Sequence, residues 1–160
     1  MVRMEVKGLI IDPIANMPVV ILRDAEDKAF LPIWVGVPEA NAIALQLEGI
    51  TTPRPMTHDL LRNALSLVQA EVVRITVTDL LENTFYAQIH LRIGEKELLL
   101  DSRPSDAIAL ALRAEAPVFV EESVLEKSRV SSEKEDATSA ERLRKWLEEV
   151  DPDTLGKYSM

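Results

Sequence analysis

The stretch AIALQL at residues 42–47 returns as AIALAL at residues 107–112, and the reading of this pair decides the fold. Six apolar letters can coincide, so the flanks have to be compared. LPIWVGVPEAN precedes the first copy and LLLDSRPSD the second. Each is an apolar run, a break containing proline, and a polar residue (Asn41 or Asp106) directly before the alanine. Further upstream, Asp12 and Asn16 stand opposite Asp79 and Asn83 once one small gap is allowed. This is the pattern of an internal duplication of a strand–strand–strand–helix unit, over about residues 3–49 and 72–115. Two copies do not make a solenoid, so they are expected to share one core about a pseudo-twofold axis.

The twin segments alternate large and small residues and so could be read as strands. Alanine favours helix over strand, and the proline with Asp106 makes a helix start, so both are assigned as helices. Being apolar nearly all round, each is expected to be buried on more than one side. RMEVKGLII at 3–11, VVILRD and AFLPIWVG supply the three strands of the first unit, with Pro32 suited to an edge or a bulge. The first helix is expected from about Pro38 to Glu48, with Gly49 as its C-terminal cap. THDLLRNALSLVQA is an amphipathic helix with Thr57 as N-cap and Asp59 in its first turn. VVRITVTD, TFYAQIHLRI and KELLLD are the strands of the second unit, and PVFVEE a short last one. The expected fold class is α+β: one compact domain over 1–127 with a mixed or antiparallel sheet. A polar linker over 128–138 and a short amphipathic helical tail over 139–160 follow.

Composition narrows the function. The 160 residues are 47% apolar, with no cysteine and no run long enough to span a membrane. The N-terminus alternates like a strand rather than running like a signal peptide, which points to a cytoplasmic protein. A net charge of −9, from 27 acidic and 18 basic residues, disfavours nucleic acid as a partner unless arginines gather in one cleft or a metal neutralises phosphate. Glycine-rich phosphate loops, HExxH, GxSxG and EF-hand patterns are all missing from the sequence.

Three polar clusters remain, each at an element boundary: Glu39 and Asn41; Arg54, Thr57, His58 and Asp59; and Asp101, Arg103, Ser105 and Asp106. Carboxylates across a helix-starting turn can hold a divalent metal, Mg²⁺ or Mn²⁺, through oxygen ligands; the metal set would be Asp101, Asp106 and Glu39. Arg54 and Arg103 can hold a phosphate, with Asn41 and Ser105 as further substrate contacts. His58 and Asp59 can handle protons, so His58, Asp59, Asp101 and Asp106 form the expected catalytic set. The plain alternatives are that Asp59 and Asp106 only cap helices and that the arginines only pair with them. His90 is read as a cross-strand neighbour and Trp34 as a core residue. Aligned on the twin letters, Asp101, Arg103 and Asp106 face Gly36, Pro38 and Asn41, so DSRPSD in the second unit is expected to be the chemical end.

LPIWVGVPEANAIALQLEG, PRPMTHDLL and DSRPSDAIALALR resemble the bifunctional nuclease (DNase/RNase) domain family, over about residues 1–127. LRKWLEEVDPDTLGKY resembles a C-terminal extension that many bacterial members carry. The resemblance implies a homo-oligomer, a dimer first, with nuclease activity toward DNA and RNA. Its motif residues fall on Glu39, Asn41, Arg54, His58, Asp59, Asp101, Arg103, Ser105 and Asp106. The expected function is thus a metal-dependent nuclease or phosphodiesterase. The alternative is a non-enzymatic binding or regulatory module, for a small molecule or a protein, whose polar turns only cap helices.

Overall fold

The computed structural model describes residues 1–134. In chain order the elements are β1 (Val2–Ile11), β2 (Pro18–Asp24), β3 (Phe30–Trp34), α1 (Val37–Leu47) and α2 (Thr57–Leu67). β4 (Glu71–Leu81), β5 (Thr84–Ile93), β6 (Lys96–Ser102), α3 (Pro104–Ala114), β7 (Val118–Val120) and α4 (Glu122–Lys134) follow. The strand–strand–strand–helix order therefore occurs twice, with α2 between the two runs. α4 begins before the expected linker and runs into it; the rest of that linker and the tail over 139–160 lie outside the described residues.

The strands form one α+β sheet in the order β3-β2-β1-β7-β4-β5-β6. Each run of three is an antiparallel meander, β1–β2–β3 on one side and β4–β5–β6 on the other. β7 separates them, antiparallel to β1 and parallel to β4, so the meanders run in opposite senses across it. The sequence explains the placement of individual strands. β2 is apolar on both faces: Val20 and Leu22 enter the main core, while Val19 and Ile21 meet Ile10, Phe30 and Trp34 on the opposite face. β3 carries Pro32 and is an edge strand, where a missing N–H is tolerated. In β5, Ala87, Ile89 and Leu91 are buried and alternate with more exposed neighbours.

The twin helices are both helical, but they are not equally buried. α3 packs on α1, α2, β4 and β5, and it is buried from Pro104 to Ala111 except at Asp106. α1 packs on α3, β1 and β2 through Ala40, Ile43 and Ala44 and leaves Leu47 exposed, so it is less enclosed than α3. Gly49 ends α1 with φ +68, and the Gly49 and Ile50 N–H groups return to the Gln46 and Leu45 carbonyls. This is the left-handed cap that glycine permits. Thr57 is the first residue of α2 rather than its N-cap; Met56 caps, and Asp59 Oδ2 accepts the Met56 N–H at 3.0 Å.

The helix starts fix a register that the letters conceal. The first i→i+4 bonds run from Ala40 to Gly36, from Leu60 to Met56 and from Ala107 to Arg103. Glu39, Asp59 and Asp106 are therefore each the third residue of their helix, the position from which a carboxylate can serve the exposed N–H groups.

Candidate functional site

These three first turns meet. Arg103, the N-cap of α3, donates from Nη2 to Glu39 Oε1 at 2.7 Å and from Nε to Asp106 Oδ2 at 2.9 Å. Asp106 Oδ1 lies 2.9 Å from His58 Nε2 in the first turn of α2. The result is a hydrogen-bonded chain, Glu39–Arg103–Asp106–His58, drawn from the N-termini of α1, α3 and α2. Gly36 makes room for it: a Cβ there would collide with Glu39 Oε2.

Its electrostatics follow from the partners. Burial works to raise the Asp106 pKa, but hydrogen bonds from His58 and Arg103 outweigh it and hold the carboxyl below the ordinary 3.8. Asp106, and after it Glu39, hold the Arg103 guanidinium more firmly charged. An ionised Asp106 can only accept, so in the neutral imidazole His58 Nε2 carries the hydrogen and Nδ1 keeps a lone pair. His58 is buried, whereas the Arg103 side chain is 67% exposed, so the arginine is the member of the chain most open to solvent. Beside it opens a cavity of about 270 Å³ lined by Trp34, Gly36, Asn83, Phe85, Arg103 and Ser105.

The remaining expected residues are dispersed. Asp59 turns away from the chain to Arg113, whose Nε reaches Asp59 Oδ1 at 2.7 Å. The Met56 N–H first, and Arg113 with it, hold Asp59 below its ordinary pKa against the effect of burial. Ser105 is buried and Asn41 half-buried, and neither belongs to the chain. Arg54 lies exposed in the loop before α2. Asp101 is an exposed residue of β6 opposite Gln88 and takes no part in the hydrogen bonding. Trp34 packs on the second core cluster and donates its indole N–H to the buried Asp12 at 2.9 Å. His90 pairs across β4–β5 with Arg74, away from the chain.

The donor set as arranged does not fit a divalent cation. Arg103 stands between Glu39 and Asp106, and among the described residues no group of three His, Asp or Glu side chains is placed to hold a metal.

Arg113 is the residue that sequence reasoning missed. Its side chain is 5% exposed, and it donates to Asp59, to the Ala109 carbonyl at 2.9 Å and to the Ala42 carbonyl at 3.0 Å, tying α3 to α2 and α1. The signal was a lone arginine inside an otherwise apolar helix, seven residues after Asp106. A charge there must find a partner if the helix is buried.

The bifunctional nuclease domain model matches residues 20–133. The chain belongs to the bifunctional nuclease domain family. It is 37% identical over 158 residues to the Uncharacterized protein Rv1829 of Mycobacterium tuberculosis, covering 93% of this chain and 94% of that one. It is 28% identical over 102 residues to Bifunctional nuclease 1 of Oryza sativa subsp. japonica, covering 62% of this chain and 30% of the rice protein. The family match spans all four members of the hydrogen-bonded chain. No helix among the described residues is long and apolar enough to cross a membrane.

Proposed function

We propose that this family member hydrolyses phosphodiesters of nucleic acid at the Glu39–Arg103–Asp106–His58 chain. The observation that carries this reading is the meeting of three helix N-termini around an exposed arginine. Helix N-termini attract anions, and a guanidinium offers five N–H donors, of which Glu39 and Asp106 take two. Arg103 binds and polarises the phosphoryl group, and Glu39 with Asp106 fixes its plane. His58, held by Asp106, takes the proton of the attacking water on Nδ1 and returns it to the oxygen that leaves as the P–O bond breaks. The divalent metal expected from the acids would have to draw Glu39 or Asp106 away from Arg103.

A second reading has its own support. An acid at the third position of three helices, each in an ion pair or hydrogen bond, is what a purely structural device also needs. One experiment separates the two. The full chain is incubated with single-stranded RNA and plasmid DNA in Mg²⁺, Mn²⁺ or EDTA, beside an Asp106→Asn variant shown to be folded by circular dichroism. Catalysis at this chain requires the variant to lose about 100-fold or more of the cleavage rate. Equal cleavage by both proteins, or none by either, leaves the structural reading. The EDTA arm reads metal dependence directly.

A further inference from the structure

A second cleft lies on the far side of Asp59. Its volume is about 270 Å³, between the loop over 50–55, helix α2 and the end of α3, and Arg54, Arg62, Arg113, Asn63 and Asp59 line it. Three guanidiniums against one carboxylate is an unusual wall for a chain of net charge −9. The carboxylate is already satisfied, with Arg113 on Oδ1 and the Met56 N–H on Oδ2. Arg54 and Arg62, by contrast, have no acidic partner among the described residues.

The cleft is also built to hold its shape. Pro53 and Pro55 flank Arg54 and fix the backbone on both sides. The Thr52 hydroxyl donates to the Arg54 carbonyl at 2.7 Å. Arg62 sits four residues after His58 on α2, one turn on and roughly 6 Å along the same face. A ligand in this cleft is therefore a near neighbour of the hydrogen-bonded chain.

We propose that this cleft is a phosphate subsite that takes the backbone of a single nucleic-acid strand, with Arg54 and Arg62 as its two cationic contacts. It rests on the phosphodiesterase reading for the identity of the strand, and it adds a place where the strand is gripped away from the reacting group. Guanidiniums suit phosphate because the planar fork matches two of its oxygens. The paired walls explain how an acidic chain can hold a polyanion: the repulsive bulk charge is answered locally.

The test is binding, read without cleavage. Fluorescein-labelled oligothymidylate is titrated with the full chain in EDTA at several salt concentrations and followed by anisotropy. The Arg54→Ala/Arg62→Ala variant is compared with Lys7→Ala/Lys28→Ala, which removes the same charge outside the cleft. Affinity is expected to fall about tenfold or more in the arginine variant at low salt. Its slope of log K against log salt is expected to flatten by about 1.4, two phosphates at roughly 0.7 each. The lysine variant should stay near wild type. Equal losses in the two variants, no binding by wild type, or a polyglutamate peptide that competes as well as the oligonucleotide would each overturn the subsite. Binding that depends on the arginines in a protein that never cleaves would sink the nuclease reading and leave the subsite standing. Cleavage and binding that ignore the arginines would do the reverse.

Discussion

Helices α1 and α3 are written in nearly the same letters and serve differently. α1 packs on α3, β1 and β2 and leaves its outer residues exposed, whereas α3 is enclosed by α1, α2, β4 and β5. Counted from their first turns, Glu39 corresponds to Asp106, and Gln46 to Arg113. The twin letters themselves align two residues out of that register, with Asn41 against Asp106. The letter alignment gives the acid to α3 alone, but both helices place one at the third position. The two helices differ in what surrounds them, because α2 packs on α3 and brings His58 and Asp59 with it. Between two helices of such similar sequence the neighbours, not the letters, decide which becomes the centre.

The largest test of that difference is at the Gln46/Arg113 position. Arg113→Met keeps the apolar stem but removes the hydrogen bonds to the half-buried Asp59 and to the Ala109 and Ala42 carbonyls. Leaving such buried hydrogen-bonding groups without their partner costs about 1–3 kcal/mol. Urea denaturation should show that loss for Arg113→Met, while Gln46→Met on the exposed side of α1 stays within about 0.5 kcal/mol. Similar losses in the two variants would break the comparison.

Next in size is the pair of acids at the third position. Asp106 holds His58 as well as Arg103, while Glu39 holds Arg103 alone. Glu39→Gln should therefore lower cleavage by about tenfold, roughly 1.4 kcal/mol of positioning and less than the loss expected for Asp106→Asn. Gly36→Ala should reproduce the Glu39→Gln phenotype with little change in stability. Its backbone suits alanine, with φ −70, and the added methyl meets only the end of the Glu39 side chain. A Gly36→Ala enzyme with wild-type kcat and KM would show that the Glu39 contact does not orient Arg103.

Much of this architecture was readable before any coordinates. Alternation in β5, the double-sided apolar run of β2 and Pro32 at an edge each carry local information that sets strand type and place. Gly49 announced the end of α1. His58, Arg103, Asp106 and Glu39 stand out in the sequence because polar residues at helix starts can converge. What stayed hidden depends on packing between distant segments. The helix register is set by backbone bonds to Gly36 and Arg103, which no letter alignment contains. The separation of Asp59 from His58 into different networks, although they are adjacent in sequence, needs Arg113 to be known as buried. Asp101 and Asp106 read as partners because only a helix-starting turn separates them, yet Asp101 is an exposed residue of β6 opposite Gln88.

The acid limb of stability gives a smaller, directional test. Asp59 and Asp106 both have folded pKa values below 3.8, so each favours the fold while ionised. That contribution is fully present above about 3.8 and is lost as pH falls through the lower folded values. Thermal melts of the wild type should therefore drop steeply on acidification below about pH 4. Asp59→Asn and Asp106→Asn should each start less stable at pH 7 and show a shallower fall. A wild-type slope retained in both variants would place the acid sensitivity elsewhere.

The smallest expected effect is at Asp101. It occupies an exposed position of edge strand β6, opposite Gln88, with no ion pair among the described residues. Asp101→Asn should change stability by less than about 0.5 kcal/mol and leave cleavage unaltered in Mg²⁺. Asp106, five residues later, should be intolerant of the same change, because there the carboxylate has an imidazole and a guanidinium to hold. If Asp101→Asn abolished activity while Glu39→Gln did not, the working carboxylates would be those flanking the β6–α3 turn. A metal drawn in between Asp101 and Asp106 would then displace the arginine-centred chain as the reaction site, and calorimetric titration of Mn²⁺ into the wild type and Asp101→Asn would detect it.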